Sequence, residues 1–141
     1  MSRNISIALT DAQIAACFPV MRELRPHLEA DTFVDHVRRL GSMSGFRLAY
    51  LEDGGVLCVA GLRAGEWLVE GRYLEIEDFV ARADARSKGY GGELFDWIVD
   101  LAKAQGCAHL RLVSNTAREA AHRFYKRKGM TLSAYYFSMA L

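Results

Sequence analysis

The chain has 141 residues, 51% hydrophobic and 25% charged, which suits one domain over 1–141 with one core and is too apolar for a disordered chain. Its net charge of +1 lacks the basic footprint of a nucleic-acid binder, and its three scattered cysteines, Cys17, Cys58 and Cys107, support neither a disulfide framework nor a zinc site; each fits a small buried hydrophobe. The start of the chain has no apolar leader and no run reaches membrane-spanning length, so the expectation is a cytoplasmic protein with no nucleic-acid, membrane or metal partner.

Ile5 and Ile7 alternate with polar neighbours and predict a first strand. Thr10-Asp-Ala-Gln13 is a capping box, in which the Thr hydroxyl serves a helix N–H and Gln13 reaches back. Ile14, Cys17, Phe18 and Met21 then repeat at helical spacing. Pro19 is expected to kink that helix or end it early, and Pro26 is the firmer stop. A second helix has Thr32 and Asp35 near its start, Phe33, Val34, Val37 and Leu40 on one face, and Gly41 just past its end. His27 and His36, on or near these helices, read as surface or hydrogen-bonded structural groups.

Two β-rich runs, 46–51 and 56–62, flank the Gly-containing turn 52–55 and predict a hairpin. Residues 64–67 look like a loop, and 68–72 either extend the sheet or reach toward a substrate. A strand at 73–81 follows, then a glycine-rich turn and a helix over 90–105, whose apolar face is Leu94, Phe95, Ile98, Leu101 and Ala102 and whose end is marked by Gly106. Residues 109–114 alternate as a strand. Thr116-Ala-Arg-Glu119 is a second capping box, opening a helix through Phe124, Tyr125 and Lys128 that Gly129 closes. The last run, 131–141, is β-rich and dense in aromatics; such strand surface is a liability in a monomer and fits a homodimer contact. The element order predicts an α/β fold: a mixed sheet with helices on its faces, 73–114 forming a right-handed parallel crossover.

The stretch that carries chemistry is Arg86-Ser-Lys-Gly-Tyr-Gly-Gly-Glu-Leu, where Gly89, Gly91 and Gly92 crowd a helix start. A helix start presents unpaired N–H groups and a positive dipole end, a ready site for phosphate. Glycines let a ligand approach that backbone closely, and Arg86 and Lys88 add positive charge. The P-loop pattern fails because no Lys-Ser or Lys-Thr follows, and the dinucleotide fingerprint fails for want of its last glycine. The bland alternative is an ordinary glycine-rich turn capping a helix. Downstream, Asn115, Phe124, Tyr125 and Gly129 form a second spaced pattern behind a strand, with small Ala121 three residues before Phe124.

Arg86-x-x-Gly89-x-Gly91 resembles the acetyl-CoA signature of the GNAT superfamily of N-acetyltransferases, R/Q-x-x-G-x-G/A, and 115–130 resembles that family's N-x-x-A-x-x-F-Y-x-x-x-G-F. Met130 stands where the family has an aromatic. The motifs cover 73–141; residues 1–72 match through element order alone. The resemblance implies a mixed, mostly antiparallel twisted sheet of six or seven strands flanked by about four helices. It also implies acetyl-CoA as donor, with its pantetheine arm against the backbone of Phe79, Val80 and Ala81 and its pyrophosphate on the amides of Lys88, Gly89, Tyr90, Gly91 and Gly92. The expected activity is transfer of an acetyl group to a primary amine of a small molecule or protein by direct attack. A non-catalytic acyl-CoA-binding domain of the same fold is the alternative.

Tyr125 matches the family's general acid, and a phenol with a pKa of roughly 10 is matched to a thiol leaving group; otherwise it is a core-edge tyrosine. For the base, Glu75 and Glu77 share a strand, and alternation puts both on one face with Phe79 and puts Asp78 on the other. Glu75 best matches the carboxylate that serves some members; the alternatives are ion pairing with Arg72, Arg82 or another base, electrostatic recognition of a cationic substrate, or a water relay with no dedicated base. Asn115 matches the residue that bonds pantetheine or orders the strand end, unless it caps a helix. Arg118 and Lys126 either reach cofactor phosphates or are solvated.

Overall fold

The computed structural model describes residues 3–141 and divides into two units, one ending at Arg111 and the other Leu112–Leu141. Each is described by itself.

The first unit is built on a sheet with strands in chain order: β1 (Asn4–Ile7), β2 (Arg47–Glu52), β3 (Val56–Trp67), β4 (Gly71–Ala81) and β5 (His109–Leu112). The first four pair antiparallel. Ala108 N–H donates to the Arg72 carbonyl and Arg111 bonds Glu75, so contacts advance together along both chains and β5 runs parallel to β4. At that offset of 36 residues, β5 ends opposite Ile76, well before β4 does.

Three helices flank the sheet: α1 (Asp11–Leu24), α2 (Ala30–Ser44) and α3 (Tyr90–Ala104). The Thr10 capping box forms as expected: Gln13 N–H donates to Thr10 Oγ1 at 3.1 Å, and Thr10 N–H donates to Gln13 Oε1 at 2.9 Å. Contrary to expectation, α1 runs through Pro19 to Leu24; burial of Ile14, Cys17, Phe18 and Met21 offsets the missing N–H. Likewise α2 continues past Gly41, and Gly45, with φ 74°, takes the left-handed cap.

Residues 64–67 are not a loop, because β3 continues to Trp67. Gly65 lies opposite Tyr73, where a Cβ would sit 2.6 Å from the ring Cζ, so the glycine lets that ring lie flat across the strand.

The sheet has two buried faces. Phe46, Leu48, Tyr50, Val59 and Val80 pack with Ile14, Phe18, Met21 and Phe33 of α1 and α2. Leu51, Cys58, Leu62, Leu74 and Ile76 share the opposite face by register and are buried, as are Leu94, Phe95 and Ile98 of α3, which contacts β2, β3 and β4.

Among the described residues the sheet has five strands, not the expected six or seven. The missing strand is the last run: residues 131–141 adopt no regular secondary structure, with Tyr135 84% and Phe137 90% exposed. β propensity alone does not hold a strand without a ladder to join. In this second unit α4 spans Glu119–Arg127. Thr116 does not cap it: the N-cap is Arg118, and Asn115 Oδ1 instead accepts from Ala117 N–H at 2.8 Å, an Asx turn leading into the helix.

Candidate active site

β4 hands over to α3 through a short 3-10 turn, Ala83–Ala85, and the glycine-rich segment. Arg86 folds back, its Nε donating to the Ala81 carbonyl at 3.1 Å, with its guanidinium 3.6 Å from Glu23. Glu23 also accepts from Ala83 N–H at 2.8 Å, so one α1 carboxylate ties down both ends of the connection. Ser87 holds φ 65°, a left-handed conformation that costs a residue with a Cβ roughly 1 kcal/mol. Gly89 follows with φ 87° as the N-cap of α3.

That cap offers no side chain to the first helix N–H groups. A Cβ on Gly89 or Gly91 would meet no other described residue within 4 Å, so among the described residues the space over the helix start is open. Lys88 is exposed beside it, while Arg3 pairs with Glu93 and lies 4.9 Å over the Tyr90 ring. Uncapped amides, a helix dipole, open space and an adjacent cation fit a pyrophosphate. Phe79 is half-buried, with its ring 6.2 Å from that of Phe95, and Val80 is buried in the core.

The carboxylates of β4 do not follow simple alternation. Gly61 pairs with Asp78 and Leu62 with Ile76, which leaves Glu77 as the extra residue of a β-bulge. The bulge reverses the faces beyond it. Asp78 joins Glu75 and Glu77 on one face, and Phe79 moves to the α3 side, opposite to the expected arrangement. Gly61 accommodates this: a Cβ there would collide with Asp78 Oδ2 and sit 2.7 Å from Phe46 Cζ.

Each carboxylate holds an arginine. Arg111 Nε donates to Glu75 at 2.9 Å, and its guanidinium is clamped between the Tyr73 and Trp67 rings at 3.5 and 4.2 Å. Arg63 forks onto both oxygens of Glu77 at 2.6 and 3.1 Å. Arg25, just after α1, donates to Asp78 at 2.8 Å and to the carbonyl of bulged Glu77 at 3.1 Å, pinning the bulge from the helix side.

A cavity of about 350 Å³ lies where α1 and α2 face the bulge. Phe33, Val37, Leu40, Phe46 and Leu48 give it apolar walls. Arg25, Glu77 and Asp78 form a polar end, and His27 and His36 also line it. Sequence patterning missed the cavity and the two histidines' place in it, since lone histidines carry no spacing signal.

In the second unit, Tyr125 is buried on α4 with its ring 5.6 Å from that of Phe124. Asn115 orders the turn, and its carbonyl lies 2.8 Å from His122 Nε2. Arg118 and Lys126 are exposed.

The family model "Acetyltransferase (GNAT) family" matches residues 12–130. The chain belongs to the GNAT acetyltransferase family. The uncharacterized N-acetyltransferase YhdJ of Bacillus subtilis is 34% identical over 125 residues, 87% of this chain and 88% of that protein. The aminoalkylphosphonate N-acetyltransferase of Salmonella typhimurium is 32% identical over 97 residues, 68% of this chain but only 62% of that protein. Among solved structures, the aminoglycoside N-acetyltransferase AAC(6')-Iy in complex with CoA superposes with a TM-score of 0.83, covering 100% of this chain and 97% of its own at 10% identity, a likeness of fold. This GNAT chain is therefore an acetyltransferase, and acyl transfer is its class of chemistry.

Proposed function

We propose that this acetyltransferase moves the acetyl group of acetyl-CoA to a primary amine by direct attack. The observation that carries the proposal is the start of α3, opened by Gly89 without a side-chain cap and, among the described residues, with clear space over Gly89 and Gly91. The CoA held by AAC(6')-Iy supports the same donor here.

When bound, acetyl-CoA supplies a thioester whose carbonyl carbon accepts the amine. The amides of 88–92 and the side chains of Arg86 and Lys88 hold the diphosphate, and the backbone of Phe79, Val80 and Ala81 holds the pantetheine arm. Asn115 joins that set by its resemblance to the family residue that bonds pantetheine, and Arg118, exposed at the start of α4, by its charge. A C–N bond forms as the C–S bond breaks. The amine surrenders a proton to a base, and Tyr125 donates one to the departing sulfur. Glu75 is the assigned base and Glu77 the second choice. Glu75 is fixed in orientation by Arg111, so its carboxylate does not have to be ordered during the reaction.

The test is mass spectrometry of N-acetyl product formed from acetyl-CoA and a broad amine panel. Tyr125→Phe and Glu75→Gln are each expected to cut kcat by about 10²–10⁴ with acetyl-CoA binding retained. Acetyl-CoA bound by the wild-type protein with no amine acetylated would refute the assignment.

A further inference from the structure

We propose that the acceptor is a small primary monoamine on an aromatic or branched hydrocarbon body, seated in the cavity of α1, α2 and β4 with its nitrogen at the Glu77 and Asp78 end, from which Glu75 follows along the same face of β4. The proposal rests on the acetyl-transfer function above and narrows it.

Size decides first. Small-molecule pockets run about 300–1,000 Å³, and this one, about 350 Å³, lies at the low end. It holds a small body and has no room for a folded polypeptide surface. The walls decide next. Phe33, Val37, Phe46 and Leu48 are buried parts of the core and cannot turn away to admit a second charge. A polyamine would leave an ammonium against hydrocarbon without a partner, at a cost of several kcal/mol. The polar end decides orientation. Glu77 and Asp78 are its two carboxylates, and the bulge with its Arg25 anchor brings both to one place.

Charge separates this acceptor from an amine carrying an acid group. Arg25 is spent on Asp78 and on the Glu77 carbonyl, and Arg63 on Glu77, so the arginines at this end already serve the protein's own groups. Each carboxylate oxygen accepts more than one hydrogen bond, so Glu77 and Asp78 can take an ammonium while still paired, whereas an acceptor phosphonate or carboxylate would face them and would have to draw Arg25 off Asp78. His27 and His36 are the other basic groups lining the cavity, and an aminoalkylphosphonate is therefore the instructive competitor. Finally, the shape is specified by the backbone: Gly61 lets the Asp78 carboxylate and the Phe46 ring close over it, at the junction of polar end and apolar wall.

The experiment measures kcat/KM on the full chain with saturating acetyl-CoA. The amines are 2-phenylethylamine, 3-methylbutylamine, spermidine, 2-aminoethylphosphonate and a peptide with a free N-terminus. The first two are expected to exceed the other three by about 10- to 200-fold, the range a hydrophobic pocket supplies. Val37→Phe, which fills the cavity, is expected to lower kcat/KM for 2-phenylethylamine about tenfold more than for ethylamine, with the acetyl-CoA Kd unchanged. Should that variant not fold, Leu40→Phe, at a half-buried position of the same wall, fills the cavity instead, with the same expected selective loss. A preference for spermidine, the phosphonate or the peptide overturns this acceptor class while leaving acetyl transfer standing. Absence of N-acetyl product from every amine overturns both. Equal loss on large and small amines in a folded variant also overturns the cavity assignment.

Discussion

On one face of β4, Leu74 and Ile76 are 0% and 2% exposed and hold the strand by burial on the α3 side; on the other, Glu75, Glu77 and Asp78 each hold an arginine. The same eleven-residue strand thus separates two tasks. The apolar face fixes where the strand lies, because burying each large side chain stabilises by about 1.5–3 kcal/mol. The charged face contributes little net stability, since desolvation offsets most of the attraction between partly buried ions. What it does provide is orientation: three carboxylates held in fixed directions, two of them, Glu77 and Asp78, at the end of a cavity. The bulge at Glu77 makes this possible, adding Asp78 to a face it would otherwise leave.

Substitutions on the two faces should therefore fail in opposite ways. Glu75→Gln carries the largest expected effect, a loss in kcat of about 10²–10⁴, equivalent to roughly 3–5 kcal/mol of barrier. Steady-state kinetics beside a urea melt checks it: the midpoint should barely move. Leu74→Ala is the converse, expected to cost about 2–5 kcal/mol of stability by equilibrium unfolding while the folded fraction keeps its kcat. A kcat loss in Leu74→Ala matching that of Glu75→Gln would erase the distinction.

The buried layers on the two sides also carry a thiol each, Cys17 in α1 and Cys58 on the α3 face, and burial pushes both up to about 12 from 9.0. In the unfolded chain they ionise near 9, so the stabilising preference for the neutral thiol is fully present below pH 9. It is lost progressively as pH rises from 9 toward 12, at roughly 1 kcal/mol per thiol by pH 10. Urea midpoints at pH 8 and 10 should show this decline, and Cys58→Ala should remove about half of it; a flat profile would contradict burial on both sides. The smallest effect is expected outside both faces, at Ser87. Replacing it by glycine relieves its φ of 65° and should stabilise by up to about 1 kcal/mol, read by thermal unfolding; a destabilised Ser87→Gly would show that the serine side chain holds the turn.

Much of this was legible in the residues. Thr10 and Gln13 announced α1 because a capping box is local chemistry, and Gly89, Gly91 and Gly92 announced the start of α3 for the same reason. The paired motifs of 86–91 and 115–130 identified the family. The failures share a cause: each depended on a partner distant in sequence. Pro19 fits within α1 because the buried face outweighs one missing bond. Asp78 changes sides because β3 places Gly61 opposite it, which no count along β4 reveals. The arginines that hold Glu75, Glu77 and Asp78 come from β5, β3 and the end of α1, and the cavity is assembled from five segments with no shared motif. Residues 131–141 have strand composition but no ladder.

The central claim, that the glycine-led start of α3 receives acetyl-CoA, is tested most directly by thermal unfolding of the full chain with acetyl-CoA, with ATP and NAD as anionic controls. At about 100 times its Kd, a ligand stabilises by roughly 2.7 kcal/mol, which for a chain of this size is a rise of several degrees. The account requires that rise with acetyl-CoA and none with the nucleotides. A rise with ATP or NAD and none with acetyl-CoA would contradict it.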